Sequence, residues 1–185
     1  MNTASLPSVS LRASKQSDLR AIAAIYAHHV RTGTGSFEID APDVAEMTRR
    51  WRDVTGHGLP YLVAAIAGEV VGYAYAGPYR PRPAYRFTVE DSVYVRADVA
   101  GQGIGRSLLL ALIDASERAG ARQMIAVIGD SRNDSSIRVH AVCGFASAGV
   151  LQSVGYKFGR WIDVVLMQRA LGPGDTQPAP IGVTP

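Results

Sequence analysis

Three glycines on alternate positions, in "VAGQGIGRS" from Val99 to Ser107, run straight into "LLLALIDAS", whose apolar spacing is that of a helix. A helix entered through so bare a backbone makes an anion site. Free N–H groups point out of its first turn, the helix dipole favours negative charge, and glycine lets an oxyanion approach with no Cβ in the way. Arg106 adds a full positive charge there. On these residues alone, a flexible connection between strand and helix stays open as the other reading. Two nucleotide signatures are excluded. The dinucleotide fingerprint needs a third glycine three positions after the second, where this chain has Arg106 or Leu108. The nucleoside triphosphate loop needs Gly-Lys-Ser/Thr, and Gly105 is followed by Arg106.

Periodicity organises the remainder into alternating strands and helices. A strand is expected at Val9–Arg12, then a helix from about Ser17, which can cap it, to Gly33. A second helix follows Pro42, whose fixed φ suits a first turn. "YLVAAIAGEVVGYAYAG" splits at Ala67-Gly68-Glu69 into a hairpin, and "FTVEDSVYV" is the next strand. The helix after the glycines closes at Gly120. "QMIAVIG" reads as a buried strand, "DSRNDSSIRVHAVCGF" as a loop, a polar cap and a short helix, and "IDVVLMQ" as the last strand. The expected fold class is α/β with a mixed sheet, one domain over residues 9–171 between flexible tails at 1–8 and 172–185.

Composition narrows the partners. With 47% hydrophobic and 19% charged residues the chain is in the globular regime. A net charge of +3 favours a small polyanion and lacks the charge stripe of a nucleic-acid binder. The longest apolar run, Tyr61 to Ala76, is interrupted by Gly68 and Glu69 and falls short of a membrane span. The single cysteine, Cys143, fits a reducing compartment, and the N-terminal "MNTASLPSVS" lacks the pattern of a secretory signal. The expectation is a cytoplasmic protein without metal, since His28, His29 and His57 form no ligand spacing.

"VYVRADVAGQGIGRSLLLALI" resembles the acetyl-coenzyme A motif of the GNAT superfamily of N-acetyltransferases. "SFE" at Ser36–Glu38, "TVEDSVYV", "NDSSIRVHAVCGF" and "GYKFGRW" at Gly155–Trp161 resemble, in that order, the phosphinothricin and methionine sulfoximine/sulfone N-acetyltransferase subfamily. The match runs over roughly Leu11 to Leu171. One departure is Ala100, where the superfamily usually carries Gln or Arg. The resemblance implies a central mixed, largely antiparallel sheet flanked by helices, acetyl-coenzyme A as cosubstrate, a small amino-acid-like amine as acceptor, and a homodimer. It assigns the carrier to the backbone of Val93, Tyr94 and Val95, to Gly101, Gln102, Gly103, Ile104, Gly105 and Arg106, and to Asn133 and Ser136. It assigns the acceptor to Phe37, Glu38, Arg80, Pro81, Arg82, Glu90, Asp91 and Ser92.

Acetyl transfer from a thioester to an amine needs a neutral amine, support for the oxyanion and a proton for the departing thiolate. Unmasking a peptide-like α-amine near neutral pH costs about 1 kcal/mol, and a lysine side chain about 4–5, so a base is useful but need not be strong. Glu90 is the candidate base, against the reading of an ordinary strand carboxylate. His140 is the candidate acid, against that of a satisfied structural histidine. For Asn133 the competing role is a helix N-cap. Cys143 invites a covalent scheme, but its place before Gly144-Phe145 suits a small buried residue, so direct transfer is the expectation. Arg80 and Arg82 offer forks for a carboxylate or phosphinate, or simply a solvated loop. Acetylation of peptide N-termini or other amines, and carrier binding without turnover, stand as alternatives.

Overall fold

The computed structural model describes residues 8–179. Seven strands form one sheet: β1 (Val9–Ala13), β2 (Tyr61–Ile66), β3 (Glu69–Pro78), β4 (Thr88–Val95), β5 (Gln123–Gly129), β6 (Ala146–Lys157) and β7 (Arg160–Ala170). Their spatial order is β1-β2-β3-β4-β5-β7-β6. Only β4 and β5 run parallel; every other neighbouring pair is antiparallel. The connection between the two parallel strands is α3 (Ile104–Arg118), as a crossover requires. The mixed, largely antiparallel sheet flanked by helices is the expected class.

Two cores lie on opposite faces. On one, α1 (Leu19–Thr32) and α2 (Val44–Gly56) bury Ile22, Tyr26, Val30, Met47 and Val54 against Val63 and Tyr73. On the other, α3 buries Leu108, Leu109 and Leu112 against Ala74, Val89 and Met124, and α4 (Asp134–Val142) leads into Cys143 and Phe145. The β2–β3 turn has φ of 50° at Ala67 and 85° at Gly68, the positive pair of a type I′ hairpin. Gly120, at φ 92°, closes α3 in the left-handed region.

Several local expectations are corrected. Ser17 does not cap α1, because Asp18 does the local work: its carboxylate accepts from Arg12 at 2.7 and 2.8 Å and from the Lys15 N–H, tightening residues 16–18 into a 3₁₀ turn. Gly33 ends α1 in an extended conformation, φ −125°. Pro42 precedes α2 rather than opening it, and Asp43 is the cap, accepting from the Glu46 N–H at 2.7 Å. β6 was not expected. Most of its residues are exposed, its register slips between Ser147 and Gly149 and again between Leu151 and Gly155, and Ser153 sits at φ 55°, so it lacks a strand's alternation. Of the tails expected at 1–8 and 172–185, residues 1–7 and 180–185 lie outside the described residues. The described part of the second begins with a turn whose Gly174 and Gln177 carbonyls accept from Arg122, both at 2.9 Å.

Candidate active site

β4 and β5 pair only as far as Asp91↔Ala126. Beyond that point β5 continues along β7, from Val127↔Leu166 to Gly129↔Val164, while β4 stays with β3, from Ser92↔Tyr75 to Val95↔Gly72. The strands part and leave a cleft of about 950 Å³ in the middle of the sheet. The Arg96 N–H donates to the Val71 carbonyl, which sets the alternation along β4. Residues 92 and 94 therefore bond to β3, while the N–H groups of Val93 and Val95 point to the side β5 has left. Buried main-chain donors need partners, so this stretch offers amides to a ligand. On that same side the Val95 carbonyl is met by His29 Nε2 at 2.8 Å.

The glycine loop closes one end. Gly101 and Gly103 have φ of 79° and 81°, a conformation that side chains rarely adopt, and Gly103 is the N-cap of α3 with no side chain capping it. The first-turn N–H groups are thus left without a protein cap. Gly105 is different. It is helical, and a Cβ built there would meet only Val95 Cγ2, at 3.7 Å, so the protein's own packing does not demand glycine. Its bareness is on the cleft wall, where the free amides are.

Across the cleft, α4 is capped by Asn133, whose Oδ1 accepts from the Ser136 N–H at 3.3 Å while both residues line the cavity. The cap and a contact with ligand therefore coexist. His140 is 5% exposed and both ring nitrogens are engaged. Nδ1 stands 2.8 Å from the Ser136 carbonyl oxygen, which can only accept, and Nε2 stands 2.9 Å from Asp91 Oδ2. Burial disfavours the imidazolium, but Asp91 and that carbonyl outweigh it and the pKa rises. The Asp91 carboxylate and the Ser136 carbonyl oxygen thus favour the imidazolium form of His140 at the cleft wall. Glu90 is half-buried, and its pKa is raised by burial first and by the Asp91 charge second, against a lowering pull from Arg80.

Of the residues singled out in the sequence, Phe37, Glu90, Asp91, Ser92, Val93, Tyr94, Val95, Gly101, Gly103, Ile104, Gly105, Arg106, Asn133, Ser136 and His140 line this one cleft. Gln102, Glu38, Arg80, Pro81 and Arg82 do not. Gln102 is exposed beside the loop. Glu38 instead accepts from Tyr26 Oη at 2.8 Å and from Arg50 at 2.5 Å, and burial pushes the Tyr26 hydroxyl up to about 12. Arg80, Pro81 and Arg82 are exposed, with the Arg80 guanidinium 5.1 Å from the Tyr79 ring centroid. Cys143, 2% exposed, belongs to the core beneath α4.

Sequence reasoning missed His29, Thr34, Gly129 and Asp130 on the walls. His29 escaped because its partner is a backbone carbonyl 66 residues away, which no spacing rule reveals. Gly129 did carry a signal, as a glycine inside a strand marks a close approach: a Cβ there would sit 2.0 Å from the Thr34 carbonyl oxygen. Among the described residues, no group of three or more His, Cys, Asp and Glu gathers as a metal site, and no helix is long and apolar enough to cross a membrane.

Comparison with known proteins agrees with this geometry. The family described as Acetyltransferase (GNAT) domain matches residues 11–166. A phosphinothricin N-acetyltransferase of Alcaligenes faecalis is 61% identical over 166 residues, covering 90% of this chain and 84% of that one. An L-methionine sulfoximine/L-methionine sulfone acetyltransferase of Pseudomonas paraeruginosa is 43% identical over 173 residues, covering 92% and 99%. The solved phosphinothricin acetyltransferase of Sinorhizobium meliloti, in complex with AcCoA, superposes with a TM-score of 0.93 at 44% identity, covering 96% of each chain. With a splayed sheet, an uncapped glycine-entered helix and a family match over most of its length, this chain belongs to the GNAT acetyltransferases.

Proposed function

We propose that the protein transfers the acetyl group of acetyl-coenzyme A directly to the α-amine of a small amino acid or analogue, of the phosphinothricin and methionine sulfoximine or sulfone type. The observation that carries this reading is the convergence, on one cleft, of unpaired β4 amides, the bare N-terminus of α3 and a half-buried carboxylate of raised pKa. The substrate class is supported by the names of the relatives and by nothing in the cleft alone.

The residues present fit the carrier. Gly103, Gly105 and the first turn of α3 would hold its diphosphate, with Arg106 supplying charge, and the Val93 and Val95 N–H groups would bond its amide arm. A β4 N–H aimed at the acyl oxygen would stabilise charge developing there. Glu90 would take a proton from the incoming ammonium, directly or through water, and its raised pKa makes it a better acceptor. His140, its imidazolium favoured by Asp91, would hold the electrostatics of the thiolate side and serve as the proton source if its Nε2 bond exchanges partner.

A second copy of the chain is the partner this reading carries. Val150, Leu151, Val154, Tyr156, Phe158 and Trp161, between 48% and 64% exposed, form an apolar strip on the β6–β7 hairpin, with β6 at the sheet edge. Such a strip on an edge strand invites pairing. A reducing compartment, the cytoplasm, suits the buried free thiol of Cys143.

Release of free thiol, measured over a panel of phosphinothricin, methionine sulfoximine, methionine sulfone, proteinogenic amino acids and N-terminal peptides, tests the function. Turnover confined to the free amino acids and analogues supports it. Turnover only with peptides, or binding of the carrier without thiol release, rejects it.

A further inference from the structure

Lys157, at the end of β6, is 4% exposed and joins none of the ion pairs among the described residues. Its Nζ donates instead to two carbonyls of the α1–α2 connection, Gly33 O at 3.0 Å and Ser36 O at 2.7 Å. Burying an ammonium against neutral carbonyls is expensive, and that burial lowers its pKa. A core position asking only for packing would be filled more cheaply by Met.

What the two carbonyls belong to is a wall of the cleft, since Gly33, Thr34, Gly35 and Phe37 all line it. Phe37, 38% exposed, lays its ring against glycines of two strands, β5 and β6. A Cβ on Gly155 would fall 2.2 Å from one ring carbon of Phe37, and a Cβ on Gly129 would fall 2.9 Å from another. Neither strand leaves room for any residue but glycine while the ring stays where it is. Thr34 adds a longer tie, Oγ1 to Asp130 Oδ2 at 3.4 Å. The connection thus rests in a glycine seat and is strapped from beneath by one lysine.

This wall comes from the α1 and α2 face, whereas the glycine loop and Asn133 come from the α3 and α4 face. On the proposed function, on which this inference rests, the carrier occupies the latter side and the amine meets the former. We infer that Lys157 is a positioning residue for the acceptor: by holding the Gly33 and Ser36 carbonyls it fixes Phe37 between Gly129 and Gly155 and so sets the shape of the amine's side of the cleft. The seat bounds acceptor size, because the ring can retreat into neither strand.

Lys157→Met keeps the length and removes the donors. The expected result is a KM for the amine raised about tenfold with the KM for acetyl-coenzyme A within about twofold, the split expected when one wall alone is loosened. Deuterium exchange at amides 33–37 should quicken about tenfold while α1 is unchanged. Lys157→Arg, which can still donate to both carbonyls, should recover most of the loss. Gly155→Ala should give the same split by evicting the ring, and Gly155→Ala added to Phe37→Ala should cost nothing further. Both Michaelis constants rising together, or neither the amine KM nor the exchange of 33–37 responding to Lys157→Met, would overturn the inference. The exchange measurement needs no turnover, so an inactive wild-type protein would sink the proposed function while the strap is still judged.

Discussion

His140 Nε2 lies 2.9 Å from Asp91 Oδ2, with the imidazole 6% and the carboxylate 2% exposed, so an imidazole–carboxylate pair spans from α4 to β4 at the point where the sheet begins to open. Because the pair favours imidazolium in the folded state, His140 binds its proton more tightly there than in the unfolded chain. Its contribution to stability is complete below the unfolded histidine pKa of about 6.5 and fades as pH rises through the higher folded value. Asp91→Asn should therefore destabilise most between roughly pH 5 and 6.5, by about 1–3 kcal/mol, and progressively less in alkali. Thermal unfolding of both proteins across pH checks this; a difference that grows with pH contradicts the assignment.

Glu90 makes a kinetic prediction with a definite direction. Burial and the neighbouring Asp91 raise its pKa, so the acid limb of kcat/KM should lie above the ordinary glutamate value of about 4.3. Glu90→Gln should lower kcat by about 10²-fold and abolish that limb. Activity within a few-fold of wild type would remove Glu90 from the role of base.

Two glycines of the same loop should fail in different ways. Gly103 sits at φ 81° with nothing within 4 Å of an added Cβ, so Gly103→Ala is a backbone problem, costing about 1 kcal/mol of stability. Gly105 is helical and its added Cβ has only an ordinary contact, so Gly105→Val should fold with little loss yet fill the carrier's side of the cleft. An increase of about tenfold or more in the KM for acetyl-coenzyme A, at near-unchanged melting temperature, is the expected signature. Equal melting and kinetic losses in both variants would refute the distinction.

Those contrasts show what kind of information was legible in the chain. The β2–β3 turn, the helix after the glycines and the Asn133 cap were readable because each depends on residues adjacent in sequence, whose φ preferences and hydrogen bonds are local. Tertiary demands were opaque. Asp18, not Ser17, occupies the N-cap position of α1 and does not cap it with its side chain, because Arg12, on a separate strand, and the Lys15 N–H take its carboxylate. β6 was invisible because its registers are pinned by β7 and not by its own alternation. At the site, the β4 and glycine-loop residues reached the cleft wall together, since one strand and the loop that follows carry them. Arg80 and Arg82 were picked for their chemistry and for a family resemblance, and nothing local says whether a loop arginine faces a cleft or water.

Cys143 bears on the order of events. A thiol that carried the acetyl group would need access to the cleft and a depressed pKa, as reactive cysteines have. Here the thiol is 2% exposed in the core beneath α4, burial pushes its pKa up, and it is absent from the cleft walls. Acyl transfer through it would require opening the layer that Phe145 and Leu108 share with it. Cys143→Ala should therefore keep kcat within about twofold, the small loss reflecting a slightly looser core worth about 1 kcal/mol. Initial velocities with both substrates varied should give intersecting lines, in the variant and the wild type alike, since the proposed direct transfer needs amine and thioester bound together. Parallel lines in the wild type, turning to inactivity in the variant, would establish the covalent route instead.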